Sequence, residues 1–233
     1  MKLIIDDANL EKIKQVYEYF PVSGVTTNPT ILTKSGKLPY DVLFQIRKFI
    51  GDDQELHAQV IADNAEDMIK EAHTMLTMLG DNTFVKIPVT REGLKAIKAL
   101  KKEGVNITAT ATYSAVQAYL AAEAGADYVA PYVNRISNLA QDGVGVVRDI
   151  QDIFRNNNYK TQVLAASFKN AYQVIELAKY GIGAATINPD IIESLVQNAS
   201  VAAAVQTFSE DFHSAYDSAY NRAFKEAASM ELE

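Results

Sequence analysis

The stretch Thr83-Phe84-Val85-Lys86-Ile87-Pro88-Val89 decides how the chain is read. Apart from Lys86 it is the near-continuous apolar run of a strand buried on both faces. Such strands belong to parallel sheets covered by helices. In strand geometry Val85, Ile87 and Val89 share one face, and Lys86 points to the other with Phe84 and Pro88. A buried lysine is costly, and desolvation lowers its pKa. A lysine partly neutral near pH 7 is a nucleophile and forms a Schiff base with a carbonyl substrate. The alternative is a strand-end lysine whose stem packs while its head reaches water. For a single residue taken alone, that alternative is the commoner case.

Working outward from this strand, the same pattern repeats along the chain. Strands are expected over residues 2–6, 22–28, 55–62, 83–89, 105–110, 126–132, 161–167 and 183–188, with helical patterns between them. Leu10, Ile13, Val16 and Phe20 fall on one helical face, as do Leu94, Ile97 and Leu100. Asp63 or Asn64 caps a helix start, and Gly80, Gly104, Gly125 and Gly181 follow helical stretches as C-terminal caps. Eight strands alternating with helices in about 190 residues predict an α/β fold, a (β/α)8 TIM barrel with an additional C-terminal helix. An open doubly wound sheet is the other reading. Against it, the turn after the first strand, Asp6-Asp7-Ala8-Asn9, has no glycine fingerprint for a dinucleotide, and no P-loop is present. Residues 1–233 read as one barrel domain, with a helical extension at about 199–229. That extension carries Phe208, Phe212, Tyr216, Tyr220 and Phe224 at a spacing of four. Such a stripe either packs on its own barrel or clasps a neighbouring subunit.

Composition narrows the function classes. The 233 residues are 48% hydrophobic and 22% charged, with a formal net charge of -7. No basic stripe is clustered enough to predict a nucleic-acid or anionic-membrane surface. Cysteine is absent, which removes disulfides, thiolate metal sites and a cysteine nucleophile, and three histidines make a histidine-rich metal site improbable. The first residues read as a strand and not a signal peptide, and no apolar run has membrane-spanning length, so a cytoplasmic protein is expected.

Polar residues arrive one strand at a time, at the C-terminal ends where a (β/α)8 enzyme keeps its chemistry. In chain order they are Asp6, then Thr26 with Asn28, Gln59, Lys86, Thr110, Tyr132 and Ser167. The fifth strand reads Thr108-Ala109-Thr110-Ala111-Thr112, which predicts every threonine on one face. One buried polar residue is usually structural, but this set reads as a site. Arg135 and Lys169 lie in the loops leaving the sixth and seventh strands. With Ser167 they suit a phosphate dianion, although Arg135 alone could equally form a surface ion pair.

Gly24-Val25-Thr26-Thr27-Asn28-Pro29-Thr30, Val85-Lys86-Ile87-Pro88-Val89-Thr90, Ala130-Pro131-Tyr132-Val133-Asn134-Arg135-Ile136 and Ala165-Ala166-Ser167-Phe168-Lys169-Asn170 resemble the motifs of the small transaldolase family. Within it they are most similar to the fructose-6-phosphate aldolase branch. The resemblance runs from Met1 to about Phe212. It implies a (β/α)8 barrel, metal-independent Schiff-base catalysis with no cofactor, and a homo-decamer of two pentamers in which the C-terminal helix reaches a neighbouring subunit. Carried over by motif, Lys86 would be the Schiff-base lysine and Asp6 would handle protons. Asn28, beside Thr26, would hold hydroxyls of the bound ketose. Gln59 and Thr110 would position a water on which Tyr132 acts as acid and base, and Arg135, Ser167 and Lys169 would take the phosphate. Transaldolases proper resemble a pattern with Glu at the place of Gln59 and Phe at the place of Tyr132, so both positions here read as in the aldolases. The implied reaction is cleavage or formation of fructose 6-phosphate, from dihydroxyacetone and glyceraldehyde 3-phosphate. The alternative is transfer of a dihydroxyacetone unit between sugar phosphates, such as sedoheptulose 7-phosphate and glyceraldehyde 3-phosphate. A non-catalytic sugar-phosphate-binding barrel is a third reading. One departure is Asp7, where the family usually has Thr or Ser; it is expected to cap the first helix.

Overall fold

In the computed structural model, which describes residues 1–230 and, for residues 217–230, the helical backbone alone, every expected strand is present. The strands are β1 (Lys2–Asp6), β2 (Gly24–Thr26), β3 (Glu55–Gln59), β4 (Thr83–Pro88), β5 (Ile107–Thr112), β6 (Tyr128–Pro131), β7 (Gln162–Ala165) and β8 (Ala184–Ile187). They pair in parallel in sequence order and close, β8 onto β1, into a barrel. Helices α1 (Leu10–Tyr19), α2 (Pro29–Thr33), α3 (Pro39–Ile50), α4 (Ala65–Leu79), α5 (Arg91–Lys102) and α6 (Ala115–Glu123) follow the first five strands. Then come α7 (Val133–Ser137), α8 (Gly143–Asn156), α9 (Ala171–Tyr180), α10 (Pro189–Ser194) and α11 (Ala199–Met230). The fold is a (β/α)8 TIM barrel with a C-terminal helix. The chain divides into two compact units, Met1–Leu195 and Val196–Glu233. In α11, Phe208, Phe212 and Tyr216 are exposed; the side chains of Tyr220 and Phe224 lie outside the described residues.

Strand alternation sorts the side chains into two cores. Ile5, Val25, Leu56, Val85, Ile107 and Val129 face outward and join the large cluster beneath the helices. Ile4, Phe84, Tyr128, Leu164 and Ala184 face inward and fill the lumen. Each fully buried aliphatic or aromatic side chain contributes about 1.5–3 kcal/mol. Two strands end sooner than their expected runs, one at a local helix cap and one where a distant carboxylate takes the backbone. Asn28 leaves β2 to cap α2, its side chain accepting from Ile31 N at 3.0 Å. Beyond β3, the amides of Ile61 and Ala62 donate to the Glu71 carboxylate of α4.

The fifth strand corrects one expectation. Its pairing with β6 slips between Ala109 and Thr112, and Ala111 has φ 55. This bulge inserts one residue, so Thr112 pairs with Pro131 and falls on the outer face, away from Thr108 and Thr110. Its hydroxyl is buried without a hydrogen-bond partner among the described residues. The cap of α1 is a second correction. Asn9 caps the helix, accepting from the amides of Glu11 and Lys12, whereas Asp7, two residues earlier, accepts from Ala8 N and Asn9 N. Asn64 caps α4, and Gly80, Gly104, Gly125 and Gly181 all have positive φ, between 81 and 95°.

The N-terminal end of the barrel is held by buried polar groups. Arg47 of α3 is 6% exposed. It donates to the carbonyls of Leu79, Gly51, Gln54 and Asn82 at 2.8–2.9 Å, tying the two loops that feed β3 and β4. In the lumen, fully buried His57 stacks on Phe84 and meets Glu55, which Lys2 and Tyr128 also bind. Burial pulls the imidazole below its ordinary value of 6.5, against the opposing pull of Glu55.

Two outcomes follow from these groups. Replacing Arg47 with Met leaves its carbonyls unsatisfied, and urea unfolding should show a loss of about 3 kcal/mol; a loss below about 1 kcal/mol contradicts the staple. For His57 the unfolded chain takes up its proton at higher pH than the folded one. The associated stability is therefore present above about pH 6.5 and is lost as pH falls from there toward the lowered folded value. His57→Phe, which keeps the stacking, should flatten the urea midpoint between about pH 7 and 5, and an unchanged slope contradicts a buried neutral imidazole.

Candidate active site

The C-terminal ends of the strands carry the expected polar set. Lys86 is 5% exposed, and its amine donates to the Thr27 carbonyl at 2.7 Å, across the lumen face from β4 to the end of β2. Its ladder neighbours are Gln59 on β3 and Thr108 on β5. Asp6, at the end of β1, accepts from Thr26 Oγ1 at 2.8 Å, and Thr26 Oγ1 meets Thr186 Oγ1 at 2.6 Å. Among the described residues, no ion pair within 4 Å joins Asp6 to Lys86. The two groups are nevertheless coupled. Burial is the largest influence on each, raising Asp6 and lowering Lys86, while each one's charge opposes the other's shift. Arg135 adds a further downward push on Lys86. The net direction moves both groups toward their uncharged forms. Asp6 opens on a cleft of about 890 Å³ that also reaches Asp7, Asn9, Lys34 and Asn188.

A second group stands across the mouth. The hydroxyls of Thr110 and Tyr132 meet at 3.1 Å. The Tyr132 ring is packed edge-on by Tyr113, centroids 5.4 Å apart, and covered by the Arg135 guanidinium at 4.6 Å. A hydrogen bond with Tyr113 raises Arg135 further. Ser167 sits in a left-handed conformation, φ 62, and its carbonyl accepts from Asn134 N at 2.8 Å, which ties the loops after β6 and β7 together. Lys169 is exposed two residues on; its backbone N–H donates to Gln173, and its ammonium has no ion pair among the described residues. The Asn28 side chain spends its oxygen on capping α2, leaving its amide N–H groups unbonded among the described residues. Gln59 likewise makes no side-chain hydrogen bond there.

Strand-end reading passed over two contributors. Thr186 on β8 obeys the same inward parity as Asp6 and was open to the same rule. Tyr113 was not, because it follows the bulge at Ala111 that shifts the register. Among the described residues, no three His, Asp or Glu side chains gather as donors for a metal ion, and no helix is long and apolar enough to cross a membrane.

Comparison with known proteins adds the context of related chains. A family described as transaldolase/fructose-6-phosphate aldolase matches residues 3–231. The chain is 43% identical over 212 residues to a probable fructose-6-phosphate aldolase from Streptococcus pneumoniae, covering 91% of this chain and 96% of that protein. It is 40% identical over 212 residues to a probable transaldolase from Caldicellulosiruptor saccharolyticus, with the same coverage. A probable transaldolase from Hydrogenobaculum is 38% identical over 211 residues, again covering 91% and 96%.

Proposed function

Since this chain belongs to the transaldolase/fructose-6-phosphate aldolase family, we propose that it cleaves and forms fructose 6-phosphate through a Schiff base on Lys86. The observation that carries this reading is the buried amine at the C-terminal end of the barrel, lowered by burial and coupled to Asp6. The Lys86 amine attacks the C2 carbonyl; the carbinolamine then loses its hydroxyl as water, leaving an iminium. A base takes the proton of the C4 hydroxyl. The C3–C4 electron pair flows into the iminium, releasing glyceraldehyde 3-phosphate and leaving an enamine. Protonation at C3 and attack of water on C2 return dihydroxyacetone and the free amine. The iminium is the electron sink, so this route calls on no metal or cofactor.

Asp6, raised toward its protonated form and bonded to Thr26, suits proton transfer at C2 and C4. Tyr132, with Thr110 at its hydroxyl and Gln59 opposite, suits acid–base work on a water at C3. The unbonded amide of Asn28, with Thr26 nearby, suits the ketose hydroxyls, and Arg135, Ser167 and Lys169 suit the phosphate. Gln59 and Tyr132 favour release of dihydroxyacetone over its transfer to a second aldose; transfer, as in the relatives named transaldolases, is the other reading. We assign the enzyme to sugar-phosphate exchange in carbohydrate metabolism, including pentose phosphates, in the cytoplasm, as suits a chain without cysteine. The exposed stripe Phe208, Phe212, Tyr216 suits α11 to a neighbouring subunit of a homo-decamer.

Borohydride reduction with fructose 6-phosphate should leave a covalent three-carbon adduct, detected by mass and lost in Lys86→Ala. Steady-state cleavage should need no erythrose 4-phosphate and should fall about 10²- to 10⁴-fold in Tyr132→Phe. Turnover only with the acceptor would establish the transferase reading instead. For assembly, the paired substitutions Phe208→Glu and Phe212→Glu should reduce the sedimenting species to smaller oligomers; an undisturbed assembly contradicts the α11 contact.

A further inference from the structure

One buried polar chain in the barrel has no part in the chemistry above. The His57 ring lies on Phe84, centroids 4.6 Å apart and planes 15° apart. Its Nε2 meets Glu55 Oε2 at 3.3 Å, and its Nδ1 meets Thr108 Oγ1 at 2.8 Å. An ionised carboxylate only accepts hydrogen bonds, so Nε2–H donates to Glu55. Nδ1 of the neutral ring then accepts, and the Thr108 hydroxyl donates to it. Glu55 is held in turn by the Lys2 ammonium and the Tyr128 hydroxyl. The direction of the Thr108 hydroxyl is thus set from the far end of the barrel.

The place of this chain relative to Lys86 is what gives it meaning. Strand register pairs His57 with Phe84, and Lys86 with Thr108. The hydrogen bond from β5 to β3 therefore crosses the lumen face of β4 between Phe84 and Lys86. Below this bar lie the apolar lumen cluster and the Glu55 carboxylate. Above it, the Lys86 amine reaches the Thr27 carbonyl. A lysine stem is long and flexible, and a carboxylate is a stronger partner for an ammonium than a carbonyl. The bar is the hydrogen-bonded layer between the Lys86 stem and the Glu55 carboxylate.

We propose that the Glu55–His57–Thr108 chain is a positioning device for Lys86, a floor that keeps the amine from dropping into the lumen and holds it at the mouth where a substrate carbonyl can meet it. His57 and Thr108 are positioning residues that act through Lys86. The charged and titratable groups around His57 are Lys2 on β1, Glu55 on β3, Lys86 on β4 and Tyr128 on β6. Burial lowers the imidazole's affinity for a proton against the opposing pull of Glu55, which disfavours a second cation beside the iminium. The inference rests on the Schiff-base reading.

The test is the rate at which dihydroxyacetone becomes trapped on the protein by borohydride, expressed per folded protein, in wild type, Thr108→Val, Thr108→Ser and His57→Phe. Thr108→Val is nearly isosteric and His57→Phe keeps the stack, so each removes the hydrogen bond while leaving the lumen filled. The floor predicts trapping about tenfold slower in Thr108→Val and in His57→Phe, as expected when a reacting group is slightly misplaced. It predicts a rate near wild type in Thr108→Ser, and a double variant no slower than either single. Wild-type rates in both Thr108→Val and His57→Phe, with melting temperature alone reduced, would show an ordinary satisfied core histidine and overturn the proposal, as would a loss in only one of them. Absence of any adduct in the wild type removes the Schiff-base reading itself, and this inference with it.

Discussion

The structure turns on the burial of one amine. Removing Lys86 from water disfavours its charged form, and among the described residues the only hydrogen bond it makes in return is its donation to the neutral Thr27 carbonyl. Asp6 pulls the other way, because a carboxylate near an ammonium stabilises both charges. Burial outweighs that attraction on both sides, and it can do so because the two groups are not in contact as an ion pair. Asp6 is instead engaged by the Thr26 hydroxyl, and Lys86 by a backbone oxygen. A direct ion pair would have opposed the effect of burial more strongly.

The barrel separates the means of stability from the means of function along its axis. At the N-terminal end Arg47 satisfies four carbonyls, and Lys2, Glu55, His57 and Tyr128 satisfy one another. At the C-terminal end polar groups are left with open hydrogen-bonding capacity among the described residues, the amides of Asn28 and Gln59 included. Among the described residues, two of the four non-glycine residues with positive φ, Ala111 and Ser167, also sit at this end. Each such conformation costs about 1–3 kcal/mol. The bulge at Ala111 gives way directly to Tyr113, which buttresses both Tyr132 and Arg135.

The eight strands and their inward faces were legible because the barrel buries both sides of each strand. Apolar runs therefore mark the strands, and alternation marks the lumen, as at Lys86 and Asp6. Strand ends were less legible, since they depend on distant partners. Glu71, ten residues beyond Ile61, takes the amides that would have extended β3. The bulge in β5 was hidden for a different reason: Thr108-Ala109-Thr110-Ala111-Thr112 alternates without a break, and only its register against β6 shows the inserted residue. Asp7 and Asn9 are both competent caps, and the position of the first helical turn chose Asn9. The family resemblance supplied roles for the polar set that spacing alone could not; Tyr113 lay outside both, whereas Thr186 was open to the parity that marks Asp6.

Burial makes the Lys86 amine a base weaker than an ordinary lysine despite Asp6. The most direct measurement is the titration of Lys86 itself, followed by NMR on protein with isotope-labelled lysines and assigned by comparison with Lys86→Arg. The midpoint should lie below the ordinary lysine value of 10.5, and Asp6→Asn should lower it further by removing the opposing charge. A midpoint at or above that value would mean that Asp6 outweighs burial at Lys86.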